Sequence, residues 1–243
     1  MTAVAAARYD SRRVKHPLWR VAQNIVRFPQ RTARSIARLF TPDYRLERQA
    51  LAYVAQHIPV ERRERLSTVP GMSSERECAL LAFLAHTVPA GGCIVEIGAW
   101  KGKSTAWLVE GSQLRAAPLP VVSIDPHERD SWNDFRATVS GFDLERRGLE
   151  VRRAFSHEVG REWRRPISLL WVDGCHEYEP VLQDIADFAP HVVADGWIVF
   201  DDAAGGRFPG VERALVERMD GDARFRRTAT LRHLAVYRRS EAA

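Results

Sequence analysis

From residue 93 onward the chain alternates short apolar runs with helical stretches, and this alternation constrains the fold more than any other feature. The runs are "CIVEI" at 93–97, "VVSID" at 121–125, residues 149–154, "ISLLWV" at 167–172 and "WIVF" at 197–200. Between them lie stretches with helical spacing, one from 103 and others over 131–139, 178–189 and 209–219. Strands that are apolar almost throughout are buried on both faces, so the pattern predicts an α/β fold with a parallel sheet under two layers of helices. Ahead of it, "SSERECALLAFLAH" carries Ser74 and Glu77 at capping-box spacing and predicts a helix. Near the end, "RFRRTATL" and "HLAVYRRS" are separated by almost nothing, which predicts an antiparallel hairpin at a sheet edge.

The first 70 residues differ. They hold 14 Lys and Arg against 5 Asp and Glu, leaving 22 against 26 for the remainder, so the net charge of +5 belongs to this segment. Residues 17–28 and 30–40 space apolar residues at helical intervals with Pro29 between them, and 44–57 continues the pattern up to a charged break, "ERRER". The reading is a basic helical appendage over 1–70, acting as a lid, an oligomerisation arm or a surface-binding arm, followed by one domain over 71–243. Packing against its own domain or a sister subunit is favoured, which makes a homo-oligomer the expectation; peripheral membrane contact through these helices is a second use. The cations are almost all arginine, which reads as a solvated face and not as a nucleic-acid patch.

Composition excludes several classes. Apolar residues make up 45% and charged residues 28%, as in a globular domain. No run reaches the roughly 18 uncharged apolar residues of a membrane helix, and the N-terminus does not read as a secretory signal, so a cytoplasmic location is expected. Cys78, Cys93 and Cys175 lie far apart, with neither disulfide nor zinc spacing.

The residues that carry chemistry fall at strand ends, where sheets of this kind bind ligands. Glu96 lies in the first strand, Gly98 makes the turn after it, and Gly102 precedes a helix whose first N–H groups, near Lys103 and Ser104, can hold an anion. The GxxxG spacing is not the GxGxxG of dinucleotide-binding turns, which counts against a nicotinamide or flavin cofactor. Asp125 closes the next strand, placed to accept the ribose hydroxyls of a nucleoside. Ser156, after the third strand, is placed to touch the base or to cap a short helix. Asp173 ends one run and Asp201 and Asp202 end another, and three carboxylates brought together call for a cation such as Mg²⁺. His176 follows Asp173 and is placed to act as a general base. Tyr178 is placed to line the pocket, and Asp184 to orient His176 or a helix neighbour.

Together these segments, over about residues 74–238, resemble the class I S-adenosylmethionine-dependent methyltransferases. Within that class the chain is similar to metal-dependent O-methyltransferases acting on macrolide sugars and to the cephalosporin-hydroxylase-like group. "VEIGAWKGKST" resembles their first motif, "SIDP" their ribose-binding strand, "VDGCHEYEPVLQD" their DGxHxY segment and "GWIVFDD" their metal-bearing strand. The resemblance implies a Rossmann-like, seven-stranded sheet ending in an antiparallel hairpin. It implies S-adenosylmethionine along Glu96–Gly102, Asp125 and Ser156, magnesium or another divalent ion on Asp173, Asp201 and Asp202, and proton removal by His176 beside Asp173. The acceptor it implies is a hydroxyl of a small molecule or sugar. Two readings stand against it: a nicotinamide-dependent oxidoreductase, and a non-catalytic cofactor-binding partner.

Overall fold

A computed structural model describes residues 42–128 and 131–241. The helices expected over 17–28 and 30–40 lie outside the described residues. Three helices come first: α1 (Pro42–His57), α2 (Val60–Ser67) and α3 (Glu75–Thr87). Then strands and helices alternate: β1 (Cys93–Ile97), α4 (Lys103–Gln113), β2 (Val121–Ile124), α5 (Ser131–Gly141), β3 (Leu149–Arg152), α6 (Ser156–Gly160), β4 (Ile167–Val172), α7 (Tyr178–Phe188), β5 (Val192–Phe200) and α8 (Pro209–Arg218). The hairpin β6 (Phe225–Leu231) and β7 (Leu234–Arg239) closes the chain.

The seven strands form one sheet in the order β3-β2-β1-β4-β5-β7-β6, the first five parallel and β7 antiparallel to both its neighbours. The order reverses between β1 and β4. Burial on both faces follows from the pleat: along β4, Leu169 and Trp171 enter one apolar layer while Leu170 and Val172 enter the other. The first layer includes Leu80, Leu84, Trp107 and Leu108 of α3 and α4; the second includes Val181, Ile185 and Phe188 of α7 and Val211 and Leu215 of α8.

Two elements differ from expectation. β5 begins at Val192 and not near 197: Asp195 takes positive φ within the strand and is ion-paired to Arg238 on β7 at 2.6 Å. "ERRER" is no break either, since it lies within α2. Its charges find partners: Arg62 of α2 and Arg147 both reach Oε2 of Glu110 on α4 at 2.7 Å, and Arg65 lies over the Phe142 ring. Ala50 and Val54 of α1, Ile58 just after it and Leu66 of α2 are buried in the first layer. Residues 42–67 are therefore built into the core beside α3. The capping box is present as the sequence reading has it, with Ser74 Oγ accepting from the Glu77 amide and Glu77 Oε2 accepting from the Ser74 amide at 2.7 Å.

Candidate active site

Ile124, Ile97, Val172 and Phe200 pair in register across β2, β1, β4 and β5. The residues one step beyond them, Asp125, Gly98, Asp173 and Asp201, therefore form a row along the carboxyl edge of the sheet. Backbone bonds fix the row: the Gly98 amide donates to the Ile124 carbonyl at 2.9 Å, Asp173 to Ile97 at 2.8 Å and Asp201 to Val172 at 2.9 Å. The β1/β4 reversal lies in its middle, where two connections leave for opposite faces and open a crevice.

On the β2 side the row holds a loop. Gly98 has φ +87°, a conformation that side chains rarely adopt, and a Cβ there would lie 2.1 Å from the Asp173 carbonyl oxygen. Asp125 Oδ2 accepts the amides of Ala99 at 2.8 Å and Trp100 at 2.7 Å, and its Oδ1 accepts the His127 amide at 2.6 Å. Asp125 thus shapes the loop. The buried His127 ring bonds the Trp100 backbone and packs against Trp132 and Phe135. Burial lowers its pKa below the usual histidine value, so near neutral pH it is an uncharged strut. Trp100 itself has positive φ and an indole 41% exposed at the mouth of the crevice. Gly102 ends the loop as the N-cap of α4, with no side-chain cap, so the first N–H groups of α4 have no capping oxygen. The stem of Lys103 lies against Gly71.

Beneath this loop Glu96 is fully buried. It accepts hydroxyl hydrogens from Ser104 at 2.6 Å, Ser123 at 2.8 Å and Thr105, and burial pushes its pKa up to about 7. The structure thus spends Glu96 and Ser104, both expected on the cofactor, on fastening β1, β2 and α4 to one another. Ser156 is the first residue of α6; its hydroxyl bonds Asp184 on α7, whose carboxyl burial raises to about 7. Asp184 is therefore paired with Ser156 and not with His176. Tyr178 leans away to donate to Glu217 on α8.

On the β5 side the row holds the acids. Asp173 and Asp201 are hydrogen-bonded carboxyl to carboxyl; burial pushes both upward, most strongly Asp173, where the carboxylates of Asp201, Glu96 and Asp202 add to it, whereas on Asp201 the Asp202 amide and the Asp173 carboxyl pull the other way. Asp202 turns with positive φ, and its amide donates to Asp201 Oδ1 at 2.8 Å. His176 packs its ring, tilted, against Phe208 and places Nε2 near Asp202 Oδ2 (3.4 Å) and Asp173 Oδ1 (3.6 Å). That nitrogen is buried with no hydrogen-bond partner. Sequence reasoning missed His233, in the turn between β6 and β7, whose Nε2 lies 3.1 Å from both Asp201 Oδ1 and Glu77 Oε1. No local signal ties a turn histidine to a strand end more than thirty residues earlier; only the β5/β7 pairing does. Asp201, Asp202 and His233 bring ligand atoms within 4.8 Å of one another. The chemistry of this set suits a divalent cation: it offers carboxylate oxygens and the His233 imidazole, with the unpartnered Nε2 of His176 and the crowded carboxyl of Asp173 beside it.

Residues 95–203 match the family model of a methyltransferase domain. The chain shares its fold with solved O-methyltransferases. One is NovP, at 17% identity and TM-score 0.56, over 76% of this chain and 81% of that one. An O-methyltransferase from Bacillus cereus in complex with SAH matches at 17% identity and TM-score 0.58, over 78% and 96%. CalS11, a TDP-rhamnose 3'-O-methyltransferase of calicheamicin biosynthesis, matches at 15% identity and TM-score 0.54, over 80% and 93%. No curated protein sequence matches the chain. The seven-stranded sheet and its terminal hairpin are those that the resemblance implied.

Proposed function

We propose that this chain, with its methyltransferase domain over residues 95–203, is an S-adenosylmethionine-dependent O-methyltransferase acting on a hydroxyl of a small molecule, of the sugar or natural-product kind, with help from a divalent cation. The observation that carries the reading is the row of strand ends. It sets a glycine loop, open for a nucleoside, beside an acidic cluster suited to an acceptor hydroxyl, with one crevice serving both.

On the loop side, Gly98 and Gly102, both at positive φ and packed against Asp173 and against Phe135 and Thr138, make the loop tight, and the amides at the start of α4, without a side-chain cap, are available to a ligand. Asp125 and His127 hold the loop in shape before any ligand arrives. Trp100 and Phe155, both large and exposed, offer faces for a flat base. S-adenosylmethionine, when bound, supplies an electrophilic methyl group. On the other side Asp173, Asp201 and Asp202 would hold Mg²⁺ or a related ion, whose charge favours the ionised form of an acceptor hydroxyl. His176 takes the acceptor proton at Nε2, the nitrogen that has no partner in the resting protein. The sugar acceptor draws support from CalS11, a TDP-rhamnose 3'-O-methyltransferase of the same fold, and from the half-buried acid cluster at the carboxyl edge of the sheet.

Calorimetric titration with S-adenosylhomocysteine and, separately, NAD⁺ tests the cofactor half. Micromolar binding of the first and none of the second is expected; the reverse pattern would return the oxidoreductase reading to first place. Transfer of labelled methyl to a panel of deoxysugar nucleotides and glycosides then tests the acceptor.

A further inference from the structure

We propose that His233 is a ligand of the cation site, giving a nitrogen donor beside the oxygens of Asp201 and Asp202, so that the site prefers a first-row transition ion to Mg²⁺. The inference rests on the cation reading above and extends it to which ion is held.

Three observations carry it. The first is geometric: in an octahedron with ligands at about 2.1 Å, adjacent donors lie about 3.0 Å apart and opposite ones about 4.2 Å. His233 Nε2 lies 3.1 Å from Asp201 Oδ1, and the atoms offered by Asp201, Asp202 and His233 are mutually within 4.8 Å. The second is positional. The His233 carbonyl accepts the Ala203 amide at 2.6 Å, which pins the hairpin turn to the residue that follows Asp202. The imidazole is thus delivered to the strand end by the backbone and is not a wandering surface side chain. The third is orientation. Glu77 Oε1 faces the same nitrogen at 3.1 Å while Oε2 is held by the Ser74 amide at 2.7 Å, and Glu77 is nearly fully buried at the start of α3. Two carboxylates, Glu77 and Asp201, thus hold Nε2 at the strand end. A cation bound at Nε2 would have the carboxylates of Asp201 and Glu77 beside it to balance its charge.

The consequence is chemical. Three carboxylates alone are a site for Mg²⁺, whereas an imidazole in the set favours softer ions, in the order that rises from Mn²⁺ towards Cu²⁺. His176, with its own unpartnered nitrogen across the cluster, leans the same way.

The test uses metal-stripped full-length protein, titrated by calorimetry with Co²⁺ and with Mg²⁺, and the visible absorption of the cobalt form. Wild type should bind Co²⁺ about tenfold or more tightly than Mg²⁺. His233→Ala should lose at least about tenfold in Co²⁺ affinity and shift the cobalt band, with Mg²⁺ affinity nearly unchanged. Glu77→Gln keeps the cap on α3 and should show a smaller loss, which guards against a folding artefact in either variant. If His233→Ala binds both ions as wild type does, or loses both equally, the ligand assignment falls while the carboxylate site stands. If wild type binds neither ion, this inference and the cation reading fail together, whatever the cofactor titration gives.

Discussion

The carbonyl oxygen of Asp173 stands where a side chain on Gly98 would have to be, 2.1 Å from an ideal Cβ. The clash is with backbone held in the sheet, since the Asp173 amide is bonded to Ile97, so neither partner can move alone. Gly98→Ala is therefore expected to cost strain at φ +87° as well as displacement of the β4 end, together about 2–4 kcal/mol. Urea denaturation reads the loss; a midpoint equal to wild type would show that the two strand ends do not touch as described.

Asp125 spends both its oxygens on amides of Ala99, Trp100 and His127. Asp125→Asn keeps the shape but removes the charge and turns a donor towards one of those amides. Hydrogen bonds to a charged acceptor contribute about 1.5–3 kcal/mol each, so loss of loop order should weaken S-adenosylhomocysteine binding by about tenfold or more. Calorimetry measures it, and unchanged affinity would mean that the loop holds its form without Asp125.

Much of this was legible in the sequence because it is local. Apolar runs of strand length, the Ser74–Glu77 box and the paired runs at the end each depend on near neighbours, and all but the start of β5 are where the sequence reading put them. α2 was read as a break because its charges, Arg62 and Arg65, are satisfied only by Glu110 and Phe142, far along the chain. The same holds at the site. Asp125, Asp173, Asp201 and Asp202 were visible as acids ending strands; what each does depends on register. Glu96 sits two residues before Gly98 at the sheet edge, fully buried, where three hydroxyls meet it. His233 and His127 were illegible for the opposite reason, since each acts on residues that only the tertiary fold brings near.

Glu96 gives the protein a pH dependence of known sign. Its folded pKa, about 7, is above the ordinary glutamate value of 4.5, chiefly through burial. Between those values the folded state keeps a proton that the unfolded chain releases, so this stability is fully present below about pH 4.5 and is lost as pH rises to about 7. The contribution is of order 3 kcal/mol. Glu96→Gln cannot ionise, and the hydroxyls of Ser104, Thr105 and Ser123 can turn to suit it. Urea midpoints from pH 4.5 to 8 should fall less steeply in the variant than in wild type; parallel curves would show that Glu96 is ionised when folded. Asp184, raised to about 7 by burial, adds a slope of the same sign in both proteins.

Asp202 offers the cleanest removal of charge from the acidic cluster. Its φ is +49°, a conformation that asparagine adopts as readily as aspartate, so Asp202→Asn leaves the turn after β5 intact. Without a divalent ion the variant should be as stable as wild type or slightly more so, since one of three crowded carboxylates is gone. With Mg²⁺ at about a hundred times its dissociation constant, wild type should gain about 2.7 kcal/mol, which for a chain of this length raises the melting temperature by about 5–10 °C. The variant should gain little, and EDTA should return wild type to its starting value. An equal gain in both proteins would place the ion elsewhere and leave the carboxylates at the strand ends without a cation to hold.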